Sequence, residues 1–157
     1  MFKQKALKKW SKEEAISNLY KYCAVQERCH QEIRTKLIQH QVYGQTLEEI
    51  ISLLISEGFL NEERFARAYV RGKYRINKWG KNKIILGLKK KNISPYCIKK
   101  GLSEIDEREY LDTLQTLIEK KTPLIKSKSN FDFRKKLSNY LIQKGFSFNE
   151  FSEFLQS

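Results

Sequence analysis

The chain of 157 residues has few of the residues that interrupt helices, with only 7 glycines and 2 prolines. Apolar residues recur at spacings of three and four, which is the period of an α-helix, and no sustained alternation indicates strands. No apolar run approaches the roughly 18 residues that a membrane-spanning helix needs. No apolar signal-peptide core follows the basic N-terminus. The sequence therefore predicts an all-α cytoplasmic protein without a membrane segment.

Recognisable catalytic and metal-binding patterns are also missing. The sequence contains no phosphate-binding glycine loop, no GxSxG, no HExxH and no dinucleotide-binding turn. The three cysteines lack CxxC spacing, which is typical of reduced thiols. Cys23, Cys29, His30 and His40 match no common zinc spacing, and the neighbours Cys29 and His30 point to different faces of a helix. We predict no catalytic residues, no cofactor and no metal.

Positive charge is abundant and localised. The formal net charge of the chain is +13. Residues 61–105 carry 13 basic and 3 acidic side chains, which is a net charge of +10. Residues 1–60 have a net charge of +2, and residues 106–157 have a net charge of +1. A localised positive field attracts phosphates or an acidic protein surface. The alternative interpretation is a lysine-rich, solvated face without a partner.

Three ungapped windows, 33–51, 84–102 and 137–155, carry apolar residues at the same five positions. These positions are the first residue of each window and those 4, 9, 14 and 18 residues further on. The pattern predicts a helix, a short turn and a second helix in each window. A polar residue or glycine precedes the third apolar position: Gln41, Asn92 and Gly145. Of these, asparagine and glycine suit the left-handed helix end that such a turn requires.

A further helix start precedes each window, because Ser11, Asn61 and Asp106 stand before acidic residues that suit the first turn of a helix. Ser94 with Pro95, and also Thr46 and Ser147, are candidates to begin the third helices. We predict three tandem three-helix repeats that form an elongated, curved molecule. The predicted parts are a basic segment 1–10, repeats 11–60, 61–105 and 106–157, and an inserted loop near 122–130.

The first helix of the middle repeat carries a row of basic residues. Phe65 and Tyr69 define its predicted buried face, and Tyr74 is placed at the side of the row. At 100° per residue the basic residues fall within about 80° of each other on the solvent side. The second helix adds further lysines. The ten predicted partner-binding or DNA-binding residues are Arg64, Arg67, Arg71, Arg75, Lys78, Lys81, Lys83, Lys89, Lys90 and Lys91.

Two classes of partner fit this basic surface. One is a nucleic-acid backbone, whose binding releases counterions. The other is an acidic protein surface, whose carboxylates the forked guanidinium groups of arginine can contact.

The predicted core of the middle repeat consists of Phe65, Tyr69, Ile84, Leu88, Ile93, Ile98 and Leu102.

Residues 57–71, EGFLNEERFARAYVR, resemble the signature of the RecX family of recombinase regulators. Gly80 and the pair Ile84 and Leu88 continue the resemblance. Asn92 stands in a turn where the family usually has glycine, and asparagine tolerates the same conformation. The resemblance covers residues 11–157 and is strongest over 57–102.

The resemblance implies a non-enzymatic protein that binds the RecA recombinase and lies in the groove of the RecA–DNA filament. It implies modulation, mainly inhibition, of the ATPase, strand-exchange and coprotease activities of RecA in recombination and DNA repair. The implied partners are the RecA filament and single- or double-stranded DNA, and the expected state is a monomer. The alternative is a stand-alone, basic, nucleic-acid-binding helical repeat protein.

Overall fold

The computed structural model describes residues 6–156, which form nine α-helices and contain no strand. The helices are α1 Lys12–Val25, α2 His30–Gln39, α3 Gly44–Ser56, α4 Glu62–Arg75, α5 Lys81–Lys90, α6 Pro95–Leu102, α7 Glu107–Lys121, α8 Asn130–Lys144 and α9 Phe148–Phe151. Short 3-10 segments follow α7 at Thr122–Leu124 and α9 at Ser152–Leu155. The all-α prediction is confirmed. Residues 1–5 of the predicted basic segment, and Ser157, lie outside the described residues.

Three consecutive helices form each unit, and the window pattern explains how they pack. The first four apolar window positions are buried in all three units: Ile33, Leu37, Val42, Leu47, Ile84, Leu88, Ile93, Ile98, Leu137, Leu141, Phe146 and Phe151. The fifth position is buried at Ile51 but only half-buried at Leu102 and Leu155.

Within residues 6–156 no helix is both long enough and apolar enough to cross a membrane.

The left-handed conformation predicted for Asn92 and Gly145 is confirmed, and Gln41 also has it. Gln41, Asn92 and Gly145 have φ angles of 61°, 59° and 105°. The residue after each of them donates its N–H to the carbonyl five residues back, at 2.9, 3.1 and 3.0 Å: Val42 to Leu37, Ile93 to Leu88 and Phe146 to Leu141. This hydrogen bond closes a helix end in which the next apolar side chain packs back on the helix.

Most of the predicted helix starts are also found. The side chains of four N-cap residues accept a backbone N–H three residues on: Ser11, Asn61, Ser94 and Asp106. Ser147 is the N-cap of α9 and donates its own N–H to the Glu150 carboxylate at 2.7 Å. The prediction for Thr46 is wrong, because α3 begins at Gly44 and Thr46 lies in its first turn.

The buried face of α4 is rotated from its predicted position. Its buried residues are Phe65, Ala66, Val70 and Tyr74, whereas Tyr69 is only half-buried. Gly101 of α6 lies so close to α4 that an added Cβ would be 2.9 Å from the Ala66 carbonyl oxygen. This close approach turns the Ala66 side of α4 inward. Tyr74, at the side of the basic row, is therefore a core residue, and it also lines a cleft with Arg75 and Lys78.

The described residues contain two hydrophobic clusters. The first unit has its own core, around Leu19, Ile33 and Leu54. The second and third units share a single core, which also includes Cys29 from the first unit. Five of the seven predicted core residues of the middle unit are buried in it, and Tyr69 and Leu102 pack against it half-buried.

The second and third units meet through backbone. Gly80, the N-cap of α5, donates its N–H to the Lys144 carbonyl at 2.8 Å, and Asn82 donates to the Gly145 carbonyl at 2.9 Å. Cys29 holds the corresponding N-cap position of α2 in the first unit and is fully buried. The N-cap of the second helix of one unit is thus the part that packs toward the next unit.

A similar hydrogen bond closes the exposed turn of the first unit. The N–H of Trp10 donates to the His40 carbonyl at 3.1 Å, and His40 holds the same place in its turn as Lys144 does in the third unit. The Trp10 and His40 rings stack with centroids 3.5 Å apart. His40 Nδ1 lies 2.6 Å from the Lys8 carbonyl oxygen. The segment before α1 therefore covers this turn of the first unit.

Candidate partner-binding surface of the middle unit

Helix α4 places Arg64, Arg67, Arg71 and Arg75 along one side, because their spacing follows the helical repeat. Lys78 does not extend this row. The helix ends at Arg75, and Lys78 lies in the following turn with a φ angle of 58°. The predicted stripe is therefore a row of four arginines and a separate lysine beyond the helix end.

Three of the four arginines bind carboxylates of the chain itself. Arg67 Nη1 and Arg71 Nη1 both lie 3.1 Å from Glu104 Oε1. Arg64 Nε lies 2.6 Å from Glu27 Oε1, and its Nη2 donates to the Gly58 carbonyl at 2.8 Å. These ion pairs reduce the repulsion between like charges on one helix face.

All three acidic residues of the middle unit are engaged. Glu104 lies between Arg67 and Arg71, and Glu63 Oε1 is 3.5 Å from Arg67 Nη2. Glu62 accepts the backbone N–H of Ser94 at 2.9 Å, which joins the start of α4 to the start of α6. The other basic residues of the unit depend on neighbouring units for acidic partners.

The lysines of α5 fall at its two ends. Lys81 pairs with Glu107 of α7 and lies over the Tyr110 ring, with Nζ 4.7 Å from the centroid. Burial raises the pKa of the Tyr110 hydroxyl, whose oxygen accepts the Lys81 backbone N–H at 3.0 Å. Lys91 Nζ lies 3.9 Å from Glu32 Oε1 of the first unit. Lys89 and Lys90 are exposed at the opposite end of the helix from Lys81, about 14 Å away at 1.5 Å per residue.

The turn between α4 and α5 collects more positive charge than the sequence indicated. The Trp79 ring has Lys73 Nζ 4.8 Å and Lys83 Nζ 4.5 Å from its centroid. Lys144, from α8 of the third unit, donates from Nζ to the Asn77 carbonyl at 3.1 Å. We call the following set the basic turn: Lys73, Arg75, Lys78, Lys83 and Lys144. Within residues 6–156, none of these five forms an ion pair with a carboxylate.

Two members of the basic turn were missed by sequence reasoning. Lys73 lies on the side of α4 opposite the arginine row. Its position four residues after Tyr69 could have indicated a contact with that ring, and Lys73 Nζ does lie 5.5 Å from the Tyr69 ring centroid. Nothing local indicates Lys144, because it is distant in the chain and reaches the turn only through the docking of the third unit.

Carboxylates lie on both sides of the basic turn. Glu109 and Asp112 of α7 line a cleft with Arg75 and Lys78. Glu27 lines a second cleft with Lys73 and Asn77. The ten predicted residues are thus divided among the arginine row, the α4–α5 turn and the two ends of α5. The surface offers positive charge and hydrogen-bond donors, which suit an anionic partner.

The fold and this surface define a tandem array of three-helix units whose middle unit is cationic. Two family models match its second and third units, described as "RecX, second three-helix domain" over residues 61–102 and "RecX, third three-helix domain" over residues 107–155. The chain belongs to the RecX family.

Curated relatives agree with this assignment. The chain is 32% identical over 133 residues to "Regulatory protein RecX" of Clostridium acetobutylicum, covering 82% of this chain and 61% of the relative. It is 31% identical over 126 residues to the protein of that name in Bacillus cytotoxicus, covering 80% and 47%. The chain therefore spans about half to three fifths of the length of these relatives.

Solved structures share the fold. A crystal structure of RecX from Lactobacillus salivarius is 25% identical, has a TM-score of 0.81, and covers 92% of this chain and 94% of its own. A second structure, of "regulatory protein RecX", has a TM-score of 0.81 at 21% identity and covers 90% of this chain and 70% of its own. The second likeness concerns the fold alone.

Proposed function

We propose that this chain is a non-enzymatic regulator that binds the RecA–DNA filament and restrains the ATPase, strand-exchange and coprotease activities of RecA. Membership of a family whose relatives are called regulatory proteins supports this proposal. The observation that carries it is the shared carboxylate of Glu104, which positions Arg67 and Arg71 side by side.

The geometry suits an acidic protein surface. Arg71 uses one nitrogen for Glu104, and its side chain is 38% exposed, so other guanidinium donors face outward. Pre-positioning by Glu104 reduces the rotamer freedom that Arg71 loses on binding, a cost of about 0.5–1.5 kcal/mol for a mobile side chain. Carboxylates of a partner then form the forked hydrogen bonds that arginine favours.

The test compares two arginines that each pair with one glutamate. Arg71→Ala removes a member of the row and leaves Glu104 its bond to Arg67, so the fold should be retained. Arg34→Ala removes the arginine that pairs with Glu48 in the first unit. Co-sedimentation with RecA filaments on single-stranded DNA, together with RecA ATPase assays, measures both variants. Arg71→Ala should weaken filament binding about tenfold or more, as arginine anchors do, and Arg34→Ala should change it less than about twofold.

Equal restraint of RecA by the two variants would contradict the assignment of the arginine row. The basic turn favours a second candidate function, stand-alone nucleic-acid binding, because its five cations lack carboxylate partners within residues 6–156. That candidate predicts tight binding to DNA without RecA and no change in ATPase activity at saturating chain concentrations.

A further inference from the structure

Two phenylalanines of the third unit are exposed to solvent. Phe131 is 78% exposed and Phe148 is 58% exposed, whereas every other phenylalanine within residues 6–156 is buried or half-buried. Phe131 lies in the first turn of α8, and Phe148 is the first residue of α9. Phenylalanine is among the residue types that are most often buried, so both positions call for an explanation.

The other two units have no aromatic residue at these positions. The three windows align the first phenylalanine with Glu27 and Lys78. They align the second with Gly44 and Pro95. The same alignment places the starts of α2 and α5 opposite residue 134, so α8, which begins at Asn130, is about one turn longer and carries the first phenylalanine in the added turn. A three-helix unit therefore folds without either ring.

Both rings line one groove of about 540 Å³ between α8 and the segment formed by α9 and the 3-10 turn after it. The side chains that α8 contributes follow the helical repeat: Phe131, Arg134, Lys135 and Ser138. Phe148 and Leu155 line the other side. The Phe148 ring meets the ring of the fully buried Phe151 edge-on, with centroids 5.5 Å apart. The core of the unit therefore fixes one apolar wall of the groove.

The groove is also positively charged. Arg134 and Lys135 are exposed, and neither forms an ion pair with a carboxylate within residues 6–156. Asp132, which is close to them in sequence, pairs with Lys136 instead, with Oδ2 and Nζ 3.2 Å apart. In the described part of the chain no acidic side chain lines the groove. A partner must therefore supply the negative charge.

We infer that this groove binds a segment of a partner protein that carries a bulky apolar side chain within one helical turn of a carboxylate. The two phenyl rings and Leu155 cover the apolar side chain, and Arg134 and Lys135 pair with the carboxylates. An amphipathic helix that enters a groove with its apolar face binds in this way. A second copy of this chain is disfavoured, because its net charge of +13 is repelled by the same cations.

This inference goes beyond the proposed function, which assigns the partner contacts to the middle unit. The groove shares no residue with the arginine row or with the basic turn. It therefore gives the chain a separate docking surface, which combines aromatic and basic side chains where the arginine row offers charge alone.

The first measurement selects peptides on the whole chain, without RecA or DNA. A phage library of random short peptides is selected in parallel on the parent chain and on Phe131→Ser. The parent should enrich peptides that place a bulky apolar residue within one helical turn of an aspartate or glutamate. The variant should not enrich them, because it lacks the more exposed of the two rings.

Fluorescence anisotropy of a labelled, enriched peptide then measures the affinity. Phe131→Ser should weaken binding about tenfold or more, as the loss of an aromatic anchor does. Arg134→Ala should weaken binding about threefold to fivefold at low salt, and this loss should shrink as salt screens the exposed ion pair.

Two controls come from the same unit. Leu124→Ser removes an apolar side chain that is 71% exposed but lies outside the groove. Lys128→Ala removes an exposed lysine that also lies outside it. Both should change the peptide affinity less than about twofold, as surface substitutions away from a contact do. Thermal unfolding of all four variants should give a Tm within about 2 °C of the parent, which separates lost binding from lost folding.

The inference is overturned if the parent enriches no peptide over Phe131→Ser, or if the enriched peptides are basic or uncharged. Parental peptide affinity in Phe131→Ser, or an equal loss in Leu124→Ser, also overturns it. Displacement of the peptide by oligothymidylate as effectively as by unlabelled peptide would assign the groove to nucleic acid instead. A dimer that Phe131→Ser abolishes would assign it to a second copy. Because RecA is absent, these outcomes are independent of the comparison between Arg71→Ala and Arg34→Ala.

Discussion

Gly80→Ala tests whether the second and third units are joined by direct backbone contact. A Cβ added to Gly80 would lie 2.3 Å from the Gly145 carbonyl carbon, 2.4 Å from its oxygen and 2.5 Å from the Phe146 nitrogen. All three atoms are backbone, so no side-chain rotation relieves the overlap. Gly80 has a φ angle of −74°, which alanine adopts readily, and the entire effect therefore arises at the junction.

The expected cost follows from what the junction must give up. Separating the two backbones weakens the hydrogen bonds from Gly80 to Lys144 and from Asn82 to Gly145, each of which contributes about 1 kcal/mol. Forcing an extra methyl group into a packed contact costs about 1–3 kcal/mol more. The free energy of unfolding should fall by about 3–5 kcal/mol. For a chain of this size that corresponds to a fall of about 10 °C in Tm.

Gly72→Ala is the matched control, because it makes the same chemical change where there is space. No heavy atom lies within 4 Å of the added Cβ at Gly72, which is inside α4. Alanine is favoured over glycine in a helix interior by about 0.8–1.0 kcal/mol. We would follow thermal and urea unfolding by circular dichroism at the helical band. The free energy of unfolding and the Tm should be higher for Gly72→Ala than for the parent chain, and both should be clearly lower for Gly80→Ala.

Gly80→Ala should also divide the unfolding transition, because the change weakens the junction of the second and third units, which share one core, while the first unit keeps its own core. A single transition with a midpoint within about 2 °C of the parent would refute the proposed backbone junction.

Three further expectations concern the core, the arginine row and the response to pH. Leu88→Ala should lower the free energy of unfolding by about 2–5 kcal/mol in urea titrations, because Leu88 is fully buried in the shared core; a loss below about 0.5 kcal/mol contradicts that packing. Glu104→Gln should weaken binding to RecA filaments by about twofold to tenfold, because it removes the carboxylate that positions Arg67 and Arg71 before binding, and Glu48→Gln in the first unit should leave binding unchanged. Burial raises the pKa of Tyr110 in the folded chain above its unfolded value near 10, so the neutral hydroxyl stabilises the fold fully below about pH 10, and this contribution is lost as the pH rises further. Urea unfolding at pH 8 and pH 11 should show a smaller decrease for Tyr110→Phe than for the parent chain, and identical decreases would exclude Tyr110 as the source.

Local sequence determined the helices and their ends. Asn92 and Gly145 predicted left-handed turns before the third window position, because only a few residue types readily adopt that conformation, and Gln41 adopts it as well. Asn61 and Asp106 predicted helix starts for an equally local reason, since an N-cap side chain bonds the backbone three residues away. Fold class and family resemblance followed from such short-range patterns.

Helical periodicity was less reliable for the orientation of α4. A projection of one helix separates an apolar side from a basic side but does not say which helix packs on it. The close approach of Gly101 to Ala66 decided that Tyr74 is buried and that Tyr69 is only half-buried. The projection also extended the helix through Lys78, because the turn after Arg75 contains neither glycine nor proline until Gly80.

Only the tertiary structure decided which charges remain available. Glu27 and Glu104 stand far from the arginines in sequence, and the packing of neighbouring elements brings them within 3.1 Å or less of Arg64, Arg67 and Arg71. Lys144 reaches the α4–α5 turn because two backbones meet at Gly80 and Gly145. Net charge is a sum over the sequence, but the field that a partner meets depends on distances between side chains, and those distances exist only once the units have docked.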